Sequence, residues 1–165
     1  MTEQIILVDK EDQQVGTGEK IDVHKKGLLH RAFSVWVFNS KRELMLQQRA
    51  KTKYHSGGLW TNTCCGHPRP GESVLTAAKR RLNEEMGFEC DLAKMFDYIY
   101  KVPLDKGMNE HEFLHVYKGV FNGIPRPNPE EADSWKWVSV EEVRADIKKH
   151  PENYTPWFKL SMEKI

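Results

Sequence analysis

Residues 66–88 read GHPRPGESVLTAAKRRLNEEMGF, and this stretch carries the strongest structural signal in the chain. From 73 to 86, core-type positions recur at helical spacing. These positions are Val74, Ala77, Ala78, Leu82 and Glu85. Gly87 follows directly, where many helices end on a glycine in the left-handed conformation. The stretch therefore predicts a loop, a helix over 73–86 and a second turn.

The polar residues of the same stretch have a spacing that indicates phosphate chemistry. Gly66 is followed by Glu72 after five residues and by Arg80 after seven more. Glu84 and Glu85 complete a pattern that resembles the Nudix box, a loop–helix–loop whose acidic side chains hold divalent metal against a diphosphate. Positions 81, 84 and 85 share one helical face because they lie three and four residues apart. The resemblance predicts a diphosphate substrate.

Arg81 departs from the Nudix pattern, which has a glutamate at this position. Hydrolysis needs a cluster of carboxylates to carry metal and activate water. A guanidinium weakens such a cluster and adds a hydrogen-bond donor for phosphate. The departure therefore argues against hydrolysis. The plainer alternative for Arg81 and Glu85 is an exposed ion pair between residues four apart.

The remaining segments predict a mixed α/β structure. Runs rich in β-branched and aromatic residues predict strands at 4–8, 32–38, 44–48, 97–102, 112–120 and 135–138. The strands at 32–38 and 44–48 are expected to pair as a hairpin. Ser139 with Glu142 predicts a capped helix to about 149, and Thr155-Pro156 opens a last helix. Many strands with three helices predict a mixed-sheet α/β sandwich in one domain, 1–165.

Composition argues against several classes of partner. The 165 residues carry a formal net charge of +1, so no basic excess indicates nucleic acid. The apolar run 5–8 is too short for a signal-peptide core or a membrane span. Two of the three cysteines are adjacent, which favours free thiols in a reducing cytoplasm. A cytoplasmic protein is expected, and the residues do not choose between a monomer and a dimer.

The segment TNTCCGHP at 61–68 places a thiol and an imidazole at the start of the Nudix-like stretch. Because Gly66 also opens that stretch, Cys65 is expected beside metal and diphosphate, where a thiol can exchange protons. Cys64 points the other way if the segment is extended, since neighbouring side chains alternate. Taken alone, however, such a cysteine is more often a small buried apolar residue, and His67 a loop residue.

Three histidines and two carboxylates form a candidate set of metal ligands. Glu110 and Glu112 share a strand face because strand side chains repeat every second residue. The full set is His24, His30, His67, Glu110 and Glu112, which suits an octahedral ion with one open place. The alternative is a solvated hairpin entrance with surface histidines. Four basic side chains either clamp a diphosphate or lie in solvent. They are Lys20, Arg49, Lys53 and Arg81.

From about residue 5 to residue 157 the chain resembles the type 1 isopentenyl diphosphate isomerases. The resemblance is carried by residues 60–68, the altered box with Arg81, Glu110-His111-Glu112 and Thr155-Pro156-Trp157. It implies a Nudix-type mixed-sheet α/β sandwich with N-terminal additions, in a compact cytoplasmic form.

The resemblance also implies a role for each candidate residue. Cys65 and Glu112 would be the catalytic pair. One divalent metal (Mn²⁺, Zn²⁺ or Mg²⁺) would be bound by His24, His30, His67, Glu110 and Glu112. Glu85 would hold a second ion, Mg²⁺, which also meets the diphosphate. The diphosphate-binding residues would be Lys20, Arg49, Lys53 and Arg81, and the pocket aromatics would be Tyr100 and Trp157.

The implied reaction is the reversible conversion of isopentenyl diphosphate to dimethylallyl diphosphate, in isoprenoid biosynthesis. An alkene gains a proton, becomes a tertiary cation and loses a proton from the next carbon. We place Glu112 on the donor side and Cys65 on the removal side, with the roles exchanged in reverse. Trp157 would offer the cation a π face. The alternatives are a Nudix hydrolase of a diphosphate and a non-enzymatic ligand sensor, and a sensor would leave Cys65 and Glu112 unexplained.

Overall fold

The computed structural model describes residues 2–165. Its strands are β1 (Gln4–Val8), β2 (Gln14–Glu19), β3 (His30–Phe38), β4 (Glu43–Arg49), β5 (Trp60–Thr61), β6 (Cys64–Gly66), β7 (Ala93–Pro103), β8 (Asn109–Val120) and β9 (Ala132–Ser139). Its helices are α1 (Lys20–Lys26), α2 (Val74–Met86), α3 (Val140–Lys149) and α4 (Pro156–Met162), with a short 3-10 turn at Pro151–Asn153. Within residues 2–165, no helix is both long enough and apolar enough to cross a lipid bilayer.

The sheet is mixed, and β3 pairs with more strands than any other part of it. β8 lies parallel to β3 over nine residue pairs, from His30 opposite Glu112 to Phe38 opposite Val120. β1, β4 and β6 also pair with β3, all antiparallel, while β7 and β9 extend the sheet from β8 and β4. The parallel register sets the starts of β3 and β8 near each other, and this edge carries the candidate site.

Side chains of β3 alternate between two apolar layers. Phe33 and Val35 pack in the layer that contains Leu82 of α2. Ala32 and Trp36 face the other layer, which contains residues of α3 and α4. Helices therefore cover both faces of the sheet, and the predicted mixed-sheet α/β sandwich is confirmed.

Local chemistry at both ends explains the bounds of α2. The Ser73 side chain accepts a hydrogen bond from the backbone N–H of Thr76 and caps the first turn. Gly87 ends the helix with φ +72°, and a Cβ there would lie 2.4 Å from the carbonyl oxygen of Arg126. Glycine fits both the left-handed conformation and this close approach. The helix predicted over 73–86 is confirmed to within one residue.

The N-terminal third differs from the sequence prediction in three ways. β2 and α1 were not predicted, because a strand with two glycines and a seven-residue helix carry too little periodicity. β4 was expected to form a hairpin with β3, but it pairs with β3 only through Phe38 and Leu44. Instead β4 pairs along its whole length with β9. This long-range pairing has no local sequence signal.

Leu82 gives a direct test of the packing of α2. It is fully buried, whereas Leu75 in the same helix is 38% exposed. We expect Leu82→Ala to lower the free energy of unfolding by about 2–5 kcal/mol, because it removes buried methyl groups and leaves a cavity. Leu75→Ala should lower it by less than about 1 kcal/mol. Urea unfolding of both variants measures the difference, and equal losses would contradict this packing.

Candidate active site

Strand register collects the candidate residues at one edge of the sheet. His30 at the start of β3 lies opposite Glu112 of β8, and Glu112 in turn lies opposite Tyr100 of β7. Cys65 of β6 lies opposite Ser34 of β3. The start of α1 and the loop before β5 bring further side chains to the same edge. Together these elements enclose a cavity lined mainly by charged and polar side chains.

Five side chains at this edge form a buried cluster. One potential ligand atom from each lies within 4.8 Å of the corresponding atoms of all the others. The members are His24, His30, His67, Glu110 and Glu112. None of them is more than 8% exposed. These are the three histidines and two carboxylates proposed from the sequence, and the structure brings all five together.

Hydrogen bonds from outside the cluster orient two of its imidazole rings. Nδ1 of His24 and Nδ1 of His30 lie 2.7 and 2.9 Å from backbone carbonyl oxygens. A carbonyl oxygen only accepts, so in the neutral ring Nδ1 carries the proton and Nε2 presents a lone pair. Among residues 2–165, no hydrogen-bond partner is found for these two Nε2 atoms, for Nε2 of His67 or for Oε1 of Glu110, and all four atoms are buried. Buried lone pairs that converge in this way fit a divalent cation.

The electrostatics of the cluster favour a positive charge at its centre. Burial lowers the pKa of His30, but Glu110 and Glu112 outweigh burial and raise it to about 10. At His67 burial dominates, and the pKa falls to about 4. Burial is outweighed at Glu112 by His30 and His67, which hold the pKa of its carboxyl well below the usual range. A proton on His30 thus offsets part of the negative charge of the two carboxylates in the metal-free chain, and a divalent cation would replace it.

Cys64 and Cys65 point to opposite faces of β6, as the alternation predicts. Cys64 is buried in the layer beneath α2, and its Sγ lies 3.5 Å from Oε2 of Glu85. Sγ of Cys65 borders the cavity and donates to Oδ1 of Asn62 at 3.3 Å. Burial raises the pKa of Cys65 to about 12, so this thiol is neutral at pH 7.

Two aromatic side chains complete the part of the site around the thiol and the carboxylate. The Tyr100 hydroxyl donates to Oε1 of Glu112 at 2.5 Å. Trp157 lines the cavity and is 3% exposed. The Arg49 guanidinium lies 5.1 Å from the centre of the Trp157 ring. The indole of Trp157, the carboxylate of Glu112 and the thiol of Cys65 therefore border the same cavity.

All four basic candidates line the same cavity, and three of them are paired with carboxylates. Lys20 lies 2.9 Å from Glu3, and Lys53 lies 2.8 Å from Glu131. Arg81 also lies 2.9 Å from Glu131. Glu3 and Glu131 thus form ion pairs with the basic side chains that were predicted to bind a diphosphate.

Arg81 and Glu85 form an ion pair at 2.9 Å, but the pair is not exposed. Glu85 is 4% exposed, and both residues line the cavity. Gly66 lets α2 come this close, because a Cβ there would lie 2.8 Å from the Phe33 ring and 3.3 Å from Cγ of Arg81. The alternative of a solvated ion pair is wrong, and the pair is part of the cavity wall.

Each candidate residue from the sequence lies in this cavity wall, in the buried cluster or, for Tyr100, in contact with Glu112. The wall also contains four residues that were not predicted from the sequence. They are Glu3, Tyr54, His55 and Glu131. No motif marks them, and the one available signal is that two of them directly follow Lys53 in a basic, glycine-ended loop.

Comparisons with known proteins first identify the class of protein. The NUDIX domain model matches residues 28–158, and the chain belongs to this class. The crystal structure of DR0079 from Deinococcus radiodurans has the same fold, with a TM-score of 0.75 and 19% identity over 89% of this chain and 90% of that one. The MutT protein from Methanosarcina mazei Go1 gives a TM-score of 0.67 and 19% identity, over 82% and 91%.

Relatives in sequence identify the family within that class. The isopentenyl-diphosphate Delta-isomerase 2 of Aromatoleum aromaticum is 50% identical over 100% of this chain and 87% of its own length. The isopentenyl-diphosphate Delta-isomerase of Serratia proteamaculans is 49% identical, over 100% and 92%. The chain belongs to the isopentenyl-diphosphate Delta-isomerases, and the predicted family is confirmed.

Proposed function

We propose that this chain interconverts isopentenyl diphosphate and dimethylallyl diphosphate, a step of isoprenoid biosynthesis. One observation carries the proposal. Cys65, Glu112 and Trp157 border the same buried cavity as the basic side chains. A thiol, a carboxylate and an indole are what proton transfer through a carbocation requires, and the basic residues suit a diphosphate.

Cys65 and Glu112 are the proposed acid–base pair. The reaction adds a proton at one end of the alkene and removes one from the carbon beside the cationic centre. With the Cys65 thiol neutral and the Glu112 carboxylate ionised, the pair holds one transferable proton. The pair can give this proton to the alkene and take one back from the cation, so its total charge is unchanged after each turnover. We keep Glu112 as donor to isopentenyl diphosphate, which requires that the proton pass from the thiol to the carboxylate first.

Trp157 is proposed to stabilise the tertiary cation between the two proton transfers. A desolvated cation over an indole face gains about 2 kcal/mol, and the ring is almost completely buried. Tyr100 is proposed to hold the carboxylate of Glu112 in one orientation through its 2.5 Å hydrogen bond. Such fixed geometry matters because proton transfer to carbon requires the reacting atoms to be aligned.

The basic residues are proposed to bind the diphosphate. In the substrate-free chain their charges are balanced by carboxylates, with Lys20 beside Glu3 and with Lys53 and Arg81 beside Glu131. A diphosphate carries more negative charge and more acceptor oxygens than these single carboxylates, so it can take their place. Binding energy at this remote group would then hold the alkene against the acid–base pair.

Two divalent cations belong to the proposal. The cluster of three histidines and two glutamates would hold Mn²⁺, Zn²⁺ or Mg²⁺, and Glu85 would hold Mg²⁺ beside the diphosphate. When bound, the cations would neutralise phosphate charge and the buried carboxylates. We further propose that the chain acts as one domain, since a single sheet carries both apolar layers. Its three free thiols favour the cytoplasm as its compartment.

Arg81 and Arg80 offer a matched test of diphosphate binding. Arg81 lines the cavity, whereas Arg80 pairs with Glu72 and Glu84 and is not part of the wall. We expect Arg81→Ala to raise KM for isopentenyl diphosphate by about 10- to 100-fold, because hydrogen bonds to charged groups contribute about 1.5–3 kcal/mol. Arg80→Ala should change KM by less than about threefold. Steady-state kinetics measure both, and an unchanged KM for Arg81→Ala would contradict the role.

A pair of assays separates the proposed isomerase from a hydrolase. Purified protein with Mg²⁺ and isopentenyl diphosphate should form an acid-labile allylic diphosphate, while free phosphate stays at the background level. A hydrolase would release phosphate or a monophosphate. Arg81 argues against that outcome, because it is paired with Glu85 where a hydrolase needs a further carboxylate. Phosphate release without allylic product would refute the proposal.

A further inference from the structure

His55 is a fourth histidine at the cavity, and none of the roles above uses it. It is 2% exposed, and its buried Nε2 has no hydrogen-bond partner in the part of the chain that the structure describes, residues 2–165. That nitrogen lies 3.5 Å from Oε2 of Glu110, at the edge of the metal-ligand cluster. His55 itself is not one of the five clustered ligands.

The hydrogen-bond partner of Nδ1 distinguishes His55 from the histidines of the cluster. In His24 and His30, Nδ1 meets a backbone carbonyl, which only accepts, so in the neutral, metal-binding ring each Nε2 is left with a lone pair. In His55, Nδ1 lies 3.0 Å from the hydroxyl oxygen of Ser56. A hydroxyl donates as well as accepts, so this ring is free to carry its proton on Nε2.

The carboxylate of Glu110 selects between the two tautomers of His55. A lone pair on Nε2 would face the carboxylate oxygen at 3.5 Å in a buried site, which is repulsive. A proton on Nε2 makes the same approach attractive, with Ser56 donating to Nδ1. The two oxygens of Glu110 then have different surroundings. With a cation bound, Oε1 would share it with Nε2 of His24 and Nε2 of His30, which lie 2.9 and 3.3 Å away, whereas Oε2 would face the N–H of His55.

We propose that His55 is a positioning residue for the metal centre. Its Nε2–H tethers Oε2 of Glu110, which leaves Oε1 directed at the place where the histidine lone pairs meet. This inference rests on the metal cluster of the proposed function and adds a residue to it. Outside partners of this kind hold metal ligands in orientation, and their loss commonly weakens metal binding by about 10- to 100-fold.

Contacts away from the cluster fix the position of His55. The backbone N–H of Ser56 donates to Oδ1 of Asp105 at 2.7 Å, which ties this loop to the turn between β7 and β8. The Arg49 guanidinium donates to the carbonyl oxygen of His55 at 3.1 Å. The ring also packs edge-on against Trp157, with 5.5 Å between centroids. None of these contacts involves a metal, so they hold the His55 ring beside Glu110 whether or not a cation is bound.

Three variants test the proposal through metal binding. His55→Leu removes the donor, while His55→Gln keeps an N–H donor at a similar reach. His115→Gln is the matched control, because His115 is also buried but contacts Asp12 and Lys94 instead of the cluster. Titration calorimetry with Mn²⁺ alone gives the dissociation constant for each chain. The Tm of each metal-free chain is measured beside it, so that a loss of fold is recognised.

We expect His55→Leu to weaken Mn²⁺ binding by about 10- to 100-fold, and His55→Gln and His115→Gln to stay within about threefold of the unchanged chain. Equal Mn²⁺ affinity in His55→Leu would overturn the proposal. If His55→Leu does not fold, the ring ¹⁵N shifts of His55 in the unchanged, Zn²⁺-loaded chain decide the matter. A proton on Nε2 supports the tether and a proton on Nδ1 overturns it. Both readouts are independent of isomerase activity, so an inactive chain that still binds Mn²⁺ refutes only the proposed function.

Discussion

Cys65→Ala is expected to lower kcat for isomerisation by on the order of 10³-fold, within the range for loss of a proton-transferring group. The thiol borders the cavity with Glu112, whereas the diphosphate contacts are assigned to basic residues elsewhere in the wall. Binding of a non-reactive diphosphate should therefore change by only a few-fold. Stopped assays of allylic product, with inhibitor titration for binding, measure the two effects separately.

Cys90→Ala is the control for this experiment. Cys90 is the one free cysteine of residues 2–165 that lies outside β6, and it is only partly buried. Its replacement should leave kcat within about twofold. If Cys65→Ala retained full turnover, the acid–base assignment would be refuted even though the family membership would stand.

Removal of divalent metal is expected to abolish isomerisation and to destabilise the fold. A metal present at about 1,000 times its dissociation constant stabilises the folded chain by about 4 kcal/mol. For a chain of this size that corresponds to a fall in Tm on the order of 10 °C. Without the cation, the buried nitrogen and oxygen atoms of the five ligand side chains no longer have a positive charge to bind, and such unpaired buried polar groups destabilise the fold. Activity and Tm should both return when Mn²⁺, Zn²⁺ or Mg²⁺ is added back.

His67→Ala provides the matched control for metal removal. His67 belongs to the buried cluster, and its Nε2 has no hydrogen-bond partner within residues 2–165. In this variant most of the rise in Tm on metal addition should be lost, because one of five ligands is missing. Scanning calorimetry after dialysis against a chelator gives the comparison. An unchanged chain whose Tm and turnover both survive complete chelation would contradict the metal centre.

The segments that sequence predicted best are those whose signals are local. Helix α2 was predicted to within one residue, because the helical spacing of its apolar residues and the glycine at its end, Gly87, both lie within residues 73–87. The opposite orientation of Cys64 and Cys65 followed from strand alternation alone. Neither prediction needed any knowledge of how distant segments pair.

The features that sequence missed depend on contacts between distant segments. The register that sets His30 opposite Glu112 comes from parallel pairing of β3 with β8, and no local pattern encodes it. The five metal-ligand candidates could be selected by residue type and family resemblance, but their mutual proximity required the fold. His55 was missed for the same reason, since a single histidine in a loop has no signal until Glu110 is seen beside it.

Proton NMR of isopentenyl diphosphate incubated in D₂O with the metal-loaded chain tests the proposed reaction most directly. Dimethylallyl diphosphate should accumulate to equilibrium and should carry deuterium taken up when the alkene is protonated. The ³¹P signals of the diphosphate should stay intact. Unchanged isopentenyl diphosphate, or conversion of its diphosphate to monophosphate and free phosphate, would contradict the central claim that this site moves a double bond and leaves the diphosphate whole.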